Sequence, residues 1–118
     1  QGRNYFERSL RLSPLDPMNF NNYVGLGSAH QVAGEDEESA NLFIRALEER
    51  PNAHWIHRNL APALLAAGRQ KEAHASCQIL LKEYPDISVK KFKDAMVFSP
   101  AVLERVAKGL RALGVPED

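Results

Sequence analysis

The sequence predicts an all-α chain of stacked helical hairpins, and three observations carry that expectation. The chain matches itself at a shift of 34 residues: between residues 20–53 and 54–87, eight pairs are identical, namely Leu26/Leu60, Ala29/Ala63, Ala33/Ala67, Gly34/Gly68, Glu38/Glu72, Leu47/Leu81, Glu49/Glu83 and Pro51/Pro85. Chance at ordinary residue usage gives about two. A fixed period of this size is the signature of repeated supersecondary units that bury their apolar faces only by stacking. Apolar residues also recur at helical spacing, and no segment alternates with period two over a useful length, so no sheet is expected.

The elements follow in order. Residues 1–14 read as the second helix of a truncated repeat, because Phe6, Ser9, Leu10 and Pro14 fit that helix's ending while its partner first helix is absent. Such a half-hairpin, over residues 3–13, leaves an apolar face uncovered, and solenoids need capped ends. With Gln1 in place of an initiator Met, the expectation is a piece of a longer or processed chain. Residues 17–51 form the first full repeat, entered through the insertion Leu15-Asp16-Pro17. Its first helix carries Phe20, Tyr23, Gly27 and His30 on one face and ends at Gly34. Its second helix opens on the acidic run Glu35 to Glu38, where the helix dipole favours negative charge, carries Ser39, Phe43, Ala46 and Leu47, and stops at Pro51.

Residues 52–85 form the second repeat. Ile56, Leu60, Ala63, Leu64 and Ala67 line its first helix, which ends at Gly68; Ala73, Cys77, Leu80 and Tyr84 line its second, which stops at Pro85. Pro62, inside the first of these helices, removes the hydrogen bond to the Arg58 carbonyl and predicts a bend. Residues 86–118 read as capping helices: a short one from Ser88 to Met96 with Val89, Phe92 and Met96 on one face, then one started by Ser99 as N-cap and Pro100 at the first helical position. Val102, Leu103, Val106, Leu110 and Leu113 stripe the last helix, and Gly114 and Pro116 end it. The natural chain is expected to end near Asp118.

Length and charge bound the function. A chain of 118 residues is one domain with room for one core. Hydrophobic residues make up 44% and charged residues 25%, an ordinary globular balance. Fifteen Lys and Arg against fifteen Asp and Glu give zero net charge, which argues against nucleic acid or an anionic membrane as partner. No apolar run approaches the roughly 20 residues that span a bilayer, and the start lacks the apolar core of a signal peptide. The single cysteine, Cys77, makes no internal disulfide, so a cytoplasmic setting is expected.

In register, the first repeat supplies Tyr23, Leu26, Gly27, His30, Gly34, Ser39, Phe43, Ala46 and Pro51, and the second supplies His57, Leu60, Ala61, Leu64, Gly68, Ala73, Cys77, Leu80 and Pro85. This pattern resembles the tetratricopeptide repeat (TPR) family, whose helical hairpins carry Trp, Leu, Gly, Tyr, Gly, Ala, Phe, Ala and Pro at these places. His30, His57, Leu64 and Cys77 replace the family's aromatic residues, while small residues stay small. The resemblance implies a right-handed TPR solenoid of about two full repeats, flanked by a half repeat and a C-terminal cap. Ser13-Pro14-Leu15-Asp16-Pro17, His57-Arg58-Asn59-Leu60 and the ending Gly109 to Glu117 also resemble the C-terminal TPR regions of bacterial class III adenylate/guanylate cyclases and related regulators. That second resemblance implies a regulatory or dimerisation domain whose groove holds an upstream part of its own chain.

The residues offer little catalytic chemistry. His54 and His57 stand three apart on a helix, but two ligands are too few for a structural zinc site, so His57 and His30 are expected in the core and His74 on the surface. Cys77 lies mid-helix on an apolar stripe, where a thiol is inert. The Glu35–Glu38 run lacks the alternating oxygen ligands of a calcium loop. Lys90, Lys91 and Lys93 around Phe92 read as a solvated basic face, with contact to phosphate or an acidic peptide as the sharper alternative. No phosphate loop or nucleophile elbow is present. The expectation is a non-enzyme with no catalytic residue, metal or cofactor.

What remains is a binding surface. The family register places Asn21, Val24, Gly25, Ser28 and Gln31 from the first repeat, and Trp55, Arg58, Asn59, Pro62 and Leu65 from the second, along a concave groove. Trp and Arg most often dominate interface energies, and Arg58 suits bidentate recognition of a carboxylate. Trp55 has two places open to it, the groove or a neighbouring repeat. Ser28 and Pro62 stand where the family's carboxylate-clamp members need Asn, which argues against their chaperone-tail ligands. The expected function is a protein–protein interaction module that takes a peptide or partner domain in this groove. The alternatives are the regulatory domain described above and a structural domain that self-associates through residues 3–13 into a homo-oligomer.

Overall fold

The computed structural model describes residues 19–96 and 99–118, so the half-repeat expected over residues 1–14 lies outside the described residues. Among these the chain is all-helical, with no strand. Helix α1 (Asn19–Val32) and helix α2 (Asp36–Glu49) pack as one hairpin. A 3-10 turn (His54–Ile56) leads into helix α3 (His57–Ala66), which pairs with helix α4 (Gln70–Glu83) as a second hairpin. Helix α5 (Val89–Ala95) and helix α6 (Pro100–Ala112) follow and pack on each other.

The 34-residue period extends to individual backbone hydrogen bonds. After α1, the Gly34 N–H donates to the Gln31 carbonyl at 3.1 Å and the Glu35 N–H to His30 at 2.8 Å; after α3, Gly68 donates to Leu65 at 3.0 Å and Arg69 to Leu64 at 2.9 Å. This pair of bonds requires a left-handed residue just past the helix, which a side chain opposes. Gly34 and Gly68 supply it at φ of 82° and 84°. The far ends of α2 and α4 repeat as well, with Arg50 and Tyr84 donating to Ala46 and Leu80.

Within the first hairpin, Gly27 of α1 lets the Phe43 ring of α2 approach so closely that a Cβ there would stand 2.9 Å from it. Ser39 Oγ fastens the same crossing by donating to the Gly27 carbonyl at 2.8 Å. Helix α3 is the centre of the molecule. It packs against α2, α4 and α6, and His57, Asn59, Leu60, Ala61, Pro62, Ala63 and Leu64 are all buried along it. A helix buried along most of its length sits at the centre of the packing. Full burial of a side chain such as Leu64 or Phe43 contributes about 1.5–3 kcal/mol.

Helix α6 lies against α3 because Gly109 has no side chain: a Cβ there would meet the Pro62 Cβ at 2.8 Å. Arg105 of α6 reaches the end of α1, donating to the backbone oxygens of Gln31 and Val32, where a cation complements the helix dipole. The chain then returns to α5. Ser88 Oγ accepts from the Lys91 N–H at 3.1 Å, and the carbonyls of Pro116 and Glu117 accept from Val89 at 2.7 Å and Lys90 at 3.0 Å. Helix α5, only seven residues long, thus gets partners for its first amides from the tail.

Candidate functional site

Trp55 sits in the tight turn that opens the second hairpin. The Ala53 N–H donates to Arg50 and the Ile56 N–H to Ala53, both at 3.1 Å, which holds the turn against the end of α2. The Trp55 ring meets Phe20 of the first hairpin edge to face, with centroids 6.2 Å apart and planes at 88°. The Arg50 guanidinium covers the Phe20 ring at 4.3 Å, a favourable cation–π stack. Trp55 therefore reaches the neighbouring hairpin, one of the two places left open by the sequence. One edge packs on the neighbouring hairpin, and 37% of the residue stays exposed.

Arg58 follows one turn later, its Nε donating to the Trp55 carbonyl at 3.3 Å. Arg58 is half-buried and has no carboxylate partner among the described residues. Burial lowers the pKa of its guanidinium, an effect that Tyr84 opposes; it stays charged at neutral pH.

Trp55 and Arg58 form one wall of a cleft of about 450 Å³. Glu83, Tyr84, Pro85, Asp86 and Ile87, at the end of α4 and in the loop beyond, line a second wall, and Lys91, Phe92 and Ala95 of α5 a third. The walls differ in character. Ile87 and Phe92 are buried and apolar, whereas Tyr84 is 40% exposed. Lys91 is exposed and spans two walls by donating from Nζ to the Asp86 carbonyl at 2.9 Å. Glu83 lies 3.8 Å from His54 Nε2. Aromatic surface, a half-buried guanidinium and a lysine thus converge on one concavity, an arrangement suited to holding a side chain or short segment rather than to bond-making chemistry.

The other expected groove residues divide. Asn21 is exposed, and Val24, Gly25, Ser28 and Leu65 are partly buried. Gln31, Asn59 and Pro62 are buried, which corrects their assignment to an open groove. Gln31 Nε2 donates to the Asn59 backbone carbonyl and Asn59 Nδ2 to Gln31 Oε1, both at 3.0 Å, so the Gln31 amide is held at both ends by Asn59 between α1 and α3. Pro62 lies under Gly109 of α6. The helix expected only to cap the stack covers this part of the face.

Several other titratable residues are held by neighbours. His57 Nδ1 shares a 2.6 Å hydrogen bond with Ser76 Oγ, and burial, helped by His54, lowers its pKa. His30 Nδ1 meets Glu35 Oε1 at 2.7 Å. Cys77 is buried, donates to the Leu113 carbonyl at 3.6 Å, and burial raises its thiol pKa. Lys90 pairs with Asp94 at 3.6 Å and Lys93 with Glu104 at 2.8 Å, so of the expected basic face only Lys91 turns to the cleft. Glu37, from the acidic run, is 3.0 Å from Arg69 of the next hairpin. Among the described residues, no three His, Cys, Asp or Glu are grouped as metal ligands, and no helix is long and apolar enough to cross a membrane.

Known proteins add no neighbour. No family model matches the chain, and neither do curated proteins or solved structures.

The cleft's second wall was missed in the sequence, although a signal for it existed. In an antiparallel hairpin the end of the second helix returns to the start of the first, as Arg50 does over Phe20. The same register, 34 residues on, brings Tyr84 to the start of the second hairpin. Tyr84 was instead expected on the apolar stripe of α4; it is the residue that caps that helix.

Proposed function

We propose that this chain is a helical-repeat module of the TPR type that binds a peptide or partner domain without catalysing a reaction. Trp55 and Arg58 are its principal anchors. The observation that carries the reading is the open cleft in which a partly exposed Trp55 stands beside a half-buried Arg58 that has no carboxylate partner among the described residues. The 34-residue repeat, preserved in cap hydrogen bonds and in both left-handed glycines, supports the TPR component. A stack of such units presents a fixed concave surface, so little ordering cost falls on the protein when a segment docks.

The test is a selection of displayed random peptides against the folded chain. Peptides should be enriched that lose binding, by roughly a hundredfold for two hot-spot residues, when Trp55 and Arg58 are both changed to Ala with the melting temperature unchanged. Enriched peptides indifferent to that double change would place the binding surface elsewhere. A selection that enriches nothing sinks the module reading.

A further inference from the structure

We propose that the cleft recognises a peptide segment in which one acidic side chain adjoins apolar ones, the carboxylate seated between Arg58 and Lys91 and an apolar neighbour against Trp55 and Tyr84. This rests on the reading of the cleft as a peptide site and names the chemistry of its occupant.

The argument starts from unmatched charge. The other described arginines have partners: Arg45 lies over the Tyr23 ring, Arg50 over Phe20, Arg69 bonds Glu72 and Glu37, Arg105 bonds backbone oxygens at the end of α1, and Arg111 bonds Glu104 and Glu117. Arg58 spends only its Nε, on the Trp55 carbonyl. Its remaining guanidinium N–H groups have no partner among the described residues, although the group is half-buried beside the cleft. A partly desolvated cation without an anion loses hydration and gains nothing in exchange, and a planar carboxylate restores the balance by accepting two parallel hydrogen bonds. Lys91, across the cleft, likewise meets no carboxylate; its Nζ contact is the Asp86 carbonyl, which leaves two ammonium hydrogens to donate.

The acidic lining residues narrow the occupant. Glu83 and Asp86 border the same cleft, so a run of acidic residues would set like charges together. A single carboxylate within an apolar segment avoids that cost, and the exposed faces of Trp55 and Tyr84 supply the apolar contact. Trp55 and Tyr84, on two of its walls, are exposed, so the occupant proposed is an internal segment rather than a chain terminus.

An array of amidated octapeptides tests this. Each peptide carries one Glu or Asp at a varied position among Leu, Ile, Phe, Val and Ala, beside matched peptides with Gln or Asn in its place and free-acid versions of the amide peptides. The folded chain should hold acidic members about tenfold or more tighter than their amide counterparts, the loss expected when a hydrogen-bonded charge pair is removed. Arg58→Gln should erase that preference, Lys91→Gln should reduce it, Arg58→Lys should keep part of it, and Trp55→Ala should weaken acidic and amide peptides alike. Circular dichroism and melting of each variant separate lost binding from lost fold. Equal binding of acid and amide peptides, or a preference that survives Arg58→Gln, overturns the proposal. Selective capture of the free-acid amide peptides would overturn it in favour of a chain terminus. If peptides bind but none depends on its acidic residue or on Trp55, this inference fails while the module reading stands; if no peptide binds, both fail.

Discussion

His57 and Ser76 share a hydrogen bond inside the second hairpin, at places the first hairpin fills with Tyr23 and Leu42. Burial lowers the His57 pKa below the ordinary 6.5. The unfolded chain therefore takes up a proton near pH 6.5 that the folded chain refuses, and folding stability falls as pH drops below that value. Above it both states are neutral and the effect vanishes. Urea unfolding at about pH 8 and about pH 5.5 should show wild type losing more stability on acidification than His57→Gln; equal losses would assign the effect to other groups. Gly27→Ala should destabilise by about 1–3 kcal/mol, since the added Cβ meets the Phe43 ring and overpacks the core. A thermal melt checks it. Much at this scale was legible. A Gly just past an apolar stripe announces a left-handed cap, and Gly34, Gly68 and Gly114 all adopt one. The partners of buried polar groups were not legible, because nothing local in Gln31 points to Asn59, 28 residues away.

At the scale of elements, the docking of α6 is the feature the sequence concealed. Its stripe and its Ser99-Pro100 start were readable, and Ser99 Oγ accepts the Val102 N–H at 3.4 Å. Which helix it would cover depended on Gly109, a residue that ordinary helix propensity marks only as a weakness. In the structure that missing side chain is what lets α6 reach Pro62, which is buried under it. Gly109→Ala gains about 1 kcal/mol of helix propensity, but its Cβ would stand 3.1 Å from the Pro62 backbone Cα, which cannot rotate away. We expect net destabilisation and faster amide exchange along α6, measurable by hydrogen–deuterium exchange. Faster exchange confined to α4 would contradict the packing argument.

For the whole molecule, the core runs unbroken from α1 through α3 to the closing segment, where Leu113 and Val115 are buried. The parts should therefore unfold together rather than helix by helix. Deleting residues 99–118 should expose the α6-facing side of α3, raise binding of a dye such as ANS and lower the melting temperature. A deletion variant with unchanged melting would mean that α6 is an appendage. The all-helical class was legible at this scale because a repeat with helical periodicity has few other solutions. The cleft was half legible: Trp55 and Arg58 were both placed on the expected binding surface, but its opposite walls come from an end of α4 and a short helix whose spatial return no linear pattern states.

The backbone bonds from Val89 and Lys90 to Pro116 and Glu117 also set an order of events during synthesis. Both hairpins are complete once residue 83 has left the ribosome, and their contacts lie close together in sequence. Helix α5 cannot secure its first amides until residues 116 and 117 follow, a wait of roughly two to seven seconds at about 5–20 residues per second. The third wall of the cleft is therefore the last to set, and for that interval a nascent chain displays Trp55 and Arg58 without the lysine that later faces them.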